Sequence, residues 1–286
     1  MKLQLYLQEG IHSIDGWLQK IAIHCLLHIQ TIQLANNIYG QIVEIGVYQG
    51  KLFIVLYLLR RKEELCIAVD VFEEQEKNKD IFKYSVTEND FKGNGLRHAG
   101  EIDSMKILRG RSEELSPNSL LETLGAKVRI FSIDGGHSKE TTCHDMALAD
   151  ACLADGGVIV VDDVFNPEHP GVSEGVNTFV TSDVPTLSPF LLAGNKVFFC
   201  QTRYHDLYFL SFKNTMQSLF NGTKGDAFIS RYFAHDVVVL SNLPIEQPPI
   251  TFRDFLKHNR KVQWLRQQPI CRELIHCLKK VLKNYV

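Results

Sequence analysis

Asp134 and His137 stand three positions apart in Ile133-Asp134-Gly135-Gly136-His137, and a second acidic pair, Asp162-Asp163, follows further along the chain. Each acidic group closes a short run of β-branched and apolar residues. Neighbouring parallel strands lie roughly 4.8 Å apart, so carboxylates that end adjacent strands converge at one edge of a sheet. In open α/β sheets that edge is where ligands bind. Three carboxylates gathered there without a basic partner repel one another, and a hard divalent ion relieves the repulsion. An all-oxygen set suits Mg2+ or Mn2+. Asp134, Asp162 and Asp163 are therefore candidate metal ligands. Successive strand residues face opposite ways, which leaves open whether Asp162 or Asp163 points into the site. His137 is the candidate general base, since an unperturbed histidine changes charge near neutrality.

A second group of candidates lies earlier. Glu44-Ile45-Gly46-Val47-Tyr48-Gln49-Gly50 ends one apolar run and opens a helical stretch. Gly46 permits a tight turn, and Gly50 would let backbone approach a ligand with no Cβ in the way. The spacing is not GxGxxG, which weighs against a dinucleotide and against an NAD-type oxidoreductase. Asp70 closes the next apolar run. A carboxylate there either accepts hydrogen bonds from ribose hydroxyls or caps the following helix. Ser112, in Gly110-Arg111-Ser112-Glu113-Glu114, reads equally as a helix N-cap followed by two acids in the first turn.

The elements needed to position these residues are legible as an alternation. Short apolar runs at 41–46, 66–71, 106–109, 128–134 and 157–163 are separated by helical stretches, the pattern of a parallel sheet buried on both faces. The runs at 196–201 and 206–212 lie too close together for a helical crossover and predict an antiparallel hairpin. The expected fold is α/β and Rossmann-like: a seven-stranded, mostly parallel sheet, a terminal antiparallel hairpin, and helices on both faces. Apolar spacing over 11–37 predicts an N-terminal helical segment. The organisation is then 1–38 helical, 39–213 the main domain, and 214–286 a helical extension with a basic end.

Composition bounds the function. The chain has 286 residues, 45% hydrophobic and 22% charged, with a net charge of −2, so nucleic acid is an unlikely partner. Seven cysteines, scattered without a CxxC pair, fit reduced thiols in a cytoplasmic protein. The longest apolar run, 52–59, is far shorter than a bilayer requires, and no secretory signal pattern opens the chain, so no membrane partner is expected. Homo-oligomerisation is left open.

Val43-Glu44-Ile45-Gly46, Val69-Asp70-Val71-Phe72, Ile133-Asp134-Gly135-Gly136-His137 and the run from Gly156 to Asp162-Asp163 together resemble the class I S-adenosylmethionine-dependent methyltransferases. The likeness is to the metal-dependent branch typified by macrolide-sugar O-methyltransferases and cephalosporin-type tailoring enzymes, and it extends over about residues 42–212. The resemblance implies a loop that cradles the amino-acid half of S-adenosylmethionine, with Glu44 organising that loop or its ammonium contacts. It also implies Gly46, Gly50, Asp70, Ser112 and Asp134 as cofactor contacts, Ser112 bordering the adenine. Asp134, Asp162 and Asp163 match the metal ligands and His137 the base. The fifth-strand pair is commonly Glu-Asp in that branch and is Asp-Asp here. The loop 164–172 resembles its substrate-side loops, where His169 is either a substrate contact or an exposed loop histidine with no role. The implied function is O-methyl transfer to a small hydroxylated acceptor (sugar, glycoside or polyketide-like), assisted by Mg2+ or Mn2+. The rivals are a metal-independent methyltransferase and a catalytically silent cofactor-binding or partner-binding protein of the same fold.

Overall fold

The apolar runs that carry the acidic residues form β1 (Gln41–Ile45), β2 (Cys66–Asp70), β3 (Met105–Arg109), β4 (Val128–Ile133) and β5 (Leu153–Val161), all parallel. A computed structural model of the chain describes residues 2–78, 85–182, 186–220 and 226–241. Between the strands run α3 (Lys51–Leu59), α4 (Glu88–Ala99), α5 (Pro117–Leu124) and α6 (Lys139–Cys152). Their starts are written in the sequence. Thr87 and Asp90 form a reciprocal capping box at α4, Ser116 and Ser119 another at α5 beside Pro117, and Ser138 caps α6, each satisfying amides that a helix end leaves unpaired.

The strands are apolar on both faces because both are covered. Ile42, Ile130, Val158 and Val160 pack into one core, which includes Ile29 and Phe53. Val43, Phe131, Ile159 and Val161 pack into the other, with Met146, Leu148 and Val176. The helical spacing expected over 11–37 is realised as α2 (Lys20–Ala35), preceded by α1 (Lys2–Gln8) and a partly extended strap that contains residues 14–19.

The hairpin differs from the expectation. Residues 206–212 belong to α8 (His205–Thr215), not to a strand. Tyr208, Phe209 and Phe212 are buried while Leu210 is exposed, a helical period that a short window of aromatics disguises. Phe190 holds the helix, its ring lying 4.8 Å from that of Tyr208 and 5.8 Å from that of Phe212. The true antiparallel partner of β7 (Lys196–Gln201) is β6 (Leu187–Ala193), joined to it by Gly194 at φ 63° and Asn195. Pro189 is accommodated in β6 where the register shifts between Pro189 and Leu191. Between β5 and β6 lies α7 (Pro170–Val180).

The extension was also only partly foreseen. Within 214–286, β8 (Asp226–Tyr232) and β9 (His235–Ser241) form a hairpin, and β9 pairs in parallel with β6. Among the described residues the sheet therefore has nine strands in the order β3-β2-β1-β4-β5-β7-β6-β9-β8, where seven were expected. The basic tail from Lys257, with Cys271 and Cys277, lies outside the described residues.

Candidate active site

The carboxyl ends of β1, β2, β4 and β5 open on a cavity of about 700 Å³, within the range of small-ligand pockets. Its floor is the turn after β1. Gly46 has φ 79°, and a Cβ there would meet the Asp134 carbonyl oxygen at 1.8 Å, so β1 and β4 approach as closely as they do only because this residue is glycine. Its amide donates to the Val69 carbonyl at 2.8 Å.

Asp70 holds the loop together. One carboxylate oxygen accepts from the amides of Val47 and Tyr48, each at 2.9 Å, and the other accepts from the Phe72 amide at 2.8 Å. Tyr48 and Phe72 both have positive φ, 48° and 46°, conformations that cost free energy in non-glycine residues unless the surroundings impose them. Burial raises the carboxyl of Asp70 against the pull of these amides. The loop-organising work that the resemblance assigns to Glu44 is thus done by Asp70. The backbone amides of Phe72, Tyr48, Val47 and Val71 all favour the charged form of this carboxylate.

Glu44 has a different situation. It is 2% exposed, lines the cavity, and its Oε2 has no hydrogen-bond partner among the described residues. Burial, then the charge of Asp134, pushes its carboxyl well above the usual range. Gly50 does not line the cavity. It caps α3 at φ 90°, and a Cβ there would touch the ring of Phe91 at 3.0 Å, so its small size serves packing and not ligand approach. Ser112 lines the far wall as the first residue of a 3-10 turn whose cap position is Arg111. The N-cap role is not the one it has.

The acids divide into two groups. Asp162 pairs with Lys196, a lysine only 4% exposed. Burial, then the charge of Asp162, raises the carboxyl of Asp134 well above the usual range. Asp163, at φ 57°, turns to other partners: one oxygen accepts from Asn166 at 3.0 Å and Asn195 at 2.7 Å. The other lies 3.4 Å from Nε2 of His137 and 3.9 Å from Nε2 of His169. Burial raises the Asp163 carboxyl, but donors from His137, Asn166 and Asn195 outweigh it and hold it at about 2. The rings of His137 and His169 stack 3.7 Å apart and 11° from parallel. Loop 164–172 is pressed onto this point, since a Cβ at Gly171 would meet the His137 carbonyl at 2.5 Å.

Two features escaped the sequence reading. Lys196 and Asn195 reach the acids because the β6–β7 turn closes over the end of β5, and the signal for that turn was Gly194-Asn195 between two apolar runs. The strap places Trp17, 79% exposed, at the cavity rim against Tyr48, with ring centroids 6.3 Å apart. Lys51 fastens it by donating to the Gly16 carbonyl at 2.8 Å, and Gln19 by donating to Asn195 at 2.9 Å.

With this geometry in place, residues 43–164 match the model of a methyltransferase domain. The fold is that of the class I S-adenosylmethionine-dependent methyltransferases. The structure of the O-methyltransferase NovP superposes with a TM-score of 0.52 at 16% identity, covering 63% of this chain and 80% of that one. The O-methyltransferase TomG from Streptomyces achromogenes, in complex with its cofactor, superposes at 0.44 and 17% identity over 70% of this chain and 87% of that one. No curated protein matches the chain in sequence. Among the described residues no helix is long and apolar enough to cross a membrane.

Proposed function

We propose that the chain is an S-adenosylmethionine-dependent O-methyltransferase acting on a small hydroxylated acceptor. The observation that carries the reading is the unpartnered Glu44 Oε2, buried at the floor of a cavity whose mouth holds the His137–Asp163 pair. A buried acceptor without a donor is costly, and the ammonium of the cofactor's amino-acid half supplies the missing donor and charge. Asp70 shapes the loop and lines the cavity where the ribose would lie, while Ser112 and Glu113 border the adenine end.

Methyl transfer is an in-line displacement. The acceptor oxygen's electron pair forms the C–O bond as the C–S bond breaks, and the sulfonium leaves as a neutral thioether. The acceptor proton passes to His137, and the resulting imidazolium lies beside Asp163, which stays ionised and is itself oriented by Asn166 and Asn195. This is the general-base arrangement in which a carboxylate fixes the imidazole and stabilises its charged form. A divalent ion at Asp134, Asp162 and Asp163 fits poorly, because Lys196 already pairs with Asp162 and the oxygens of Asp163 are engaged by Asn166, Asn195 and His137. The donors that converge instead are those of His137, Asp163 and His169, within 4.8 Å of one another, a nitrogen-rich set unlike the one Mg2+ prefers.

Calorimetry with S-adenosylhomocysteine tests the reading. Wild type should bind it, and Glu44→Gln should weaken binding at least about tenfold through loss of a charged hydrogen bond. Failure of the folded wild type to bind would refute it. Binding with no methyl acceptor found across a broad hydroxyl-compound screen would favour the silent cofactor-binding rival.

A further inference from the structure

We infer that the Lys196 ammonium takes, in this chain, the place of the divalent cation that converging aspartates would otherwise require, and so positions Asp162 and Asp134 without metal. The inference rests on the acid cluster alone and stands apart from the methyl-transfer reading.

Lys196 opens β7, and the pairing of Val197 with Val161 sets it beside the end of β5. Its neighbour Asn195 donates to Asp163 and accepts from the Val164 amide at 3.1 Å. One turn thus serves both acids: the amide of Asn195 for Asp163 and the ammonium of Lys196 for Asp162. The lysine side chain is almost wholly buried, and its pair with Asp162 leaves the charges of Asp134 and Glu44 nearby. A buried ammonium is tolerated only where anions compensate it. A divalent ion entering the same cluster would face the ammonium at close range in a poorly screened interior. Asp163, turned toward the histidines, is not available as its third ligand.

Mg2+ is the probe, since it takes oxygen donors and discriminates against the two histidines. Calorimetric titration of wild type with Mg2+ at millimolar concentration should give no binding, and Mg2+ should leave its Tm unchanged. Lys196→Met opens the carboxylates and should gain Mg2+ binding at least tenfold tighter than wild type, with the gain removed by adding Asp134→Asn. Lys196→Arg keeps a cation and should stay silent toward Mg2+. Mg2+ binding by wild type that Asp134→Asn abolishes overturns the inference, and that measurement does not depend on how Lys196→Met folds. A folded Lys196→Met with no gain overturns it as well.

Discussion

In the proposed reaction His137 would take the proton and Glu44 would face the cofactor's charge, and each assignment makes its own prediction. His137→Ala should lower kcat by about 10²–10⁴ while leaving S-adenosylhomocysteine affinity within about threefold; parallel calorimetry and initial rates check both halves. An unchanged kcat would remove His137 from the proton step. For Glu44 the sign follows from burial. Its folded-state carboxyl titrates well above its unfolded value, so it contributes stability below the unfolded value that is lost as pH rises toward the folded one. Glu44→Gln cannot titrate there. The Tm of the variant relative to wild type should therefore rise steadily from about pH 4 upward, and a difference independent of pH would contradict the assignment. Chelation bears on the metal question at the same scale. With Lys196 in place, EDTA should leave the rate unchanged, and a rate restored only by added Mg2+ would speak for the three-aspartate ion.

At the level of elements, the β1–α3 turn and the N-terminal strap line one side of the cavity. Gly46→Ala drives a Cβ into the Asp134 carbonyl and should destabilise by about 3 kcal/mol or more, since both the backbone conformation and the contact oppose it; denaturant midpoints measure this. Trp17 is too exposed to contribute much to folding, and it lies at the rim where an acceptor would enter. Trp17→Ala should raise the acceptor KM about tenfold with little change in kcat or Tm, the loss of uniform binding. Equal effects on kcat and KM would assign the strap to the chemistry through Gln19, Asn195 and Asp163 instead.

For the molecule as a whole, the cofactor half of the site joins β1, β2 and β4, so ligand binding should report globally. At 100 times its Kd, S-adenosylhomocysteine should stabilise the fold by about 2.7 kcal/mol, a rise in Tm on the order of 5–10 °C for a chain of this size. No shift at saturating ligand would separate the fold from the activity proposed for it. What the sequence by itself determined was local: the alternation of apolar runs and capped helices sets the parallel sheet, and glycine and acidic residues at run ends mark the edge where a cofactor binds. What only the tertiary structure decided was long-range. Residues 206–212 form a helix and not the expected strand, their aromatics packing on Phe190, and β6 supplies the hairpin partner because a register shift admits Pro189. Asp70, and not Glu44, holds the loop because the positive-φ turn brings its amides to one carboxylate and leaves Oε2 of the other without a partner among the described residues. Asp162 and Asp163 take different partners because a hairpin turn some thirty positions on delivers Lys196 to one and Asn195 to the other. Charge balance in a buried site depends on which groups the fold brings within a few ångströms, and sequence distance carries no record of that.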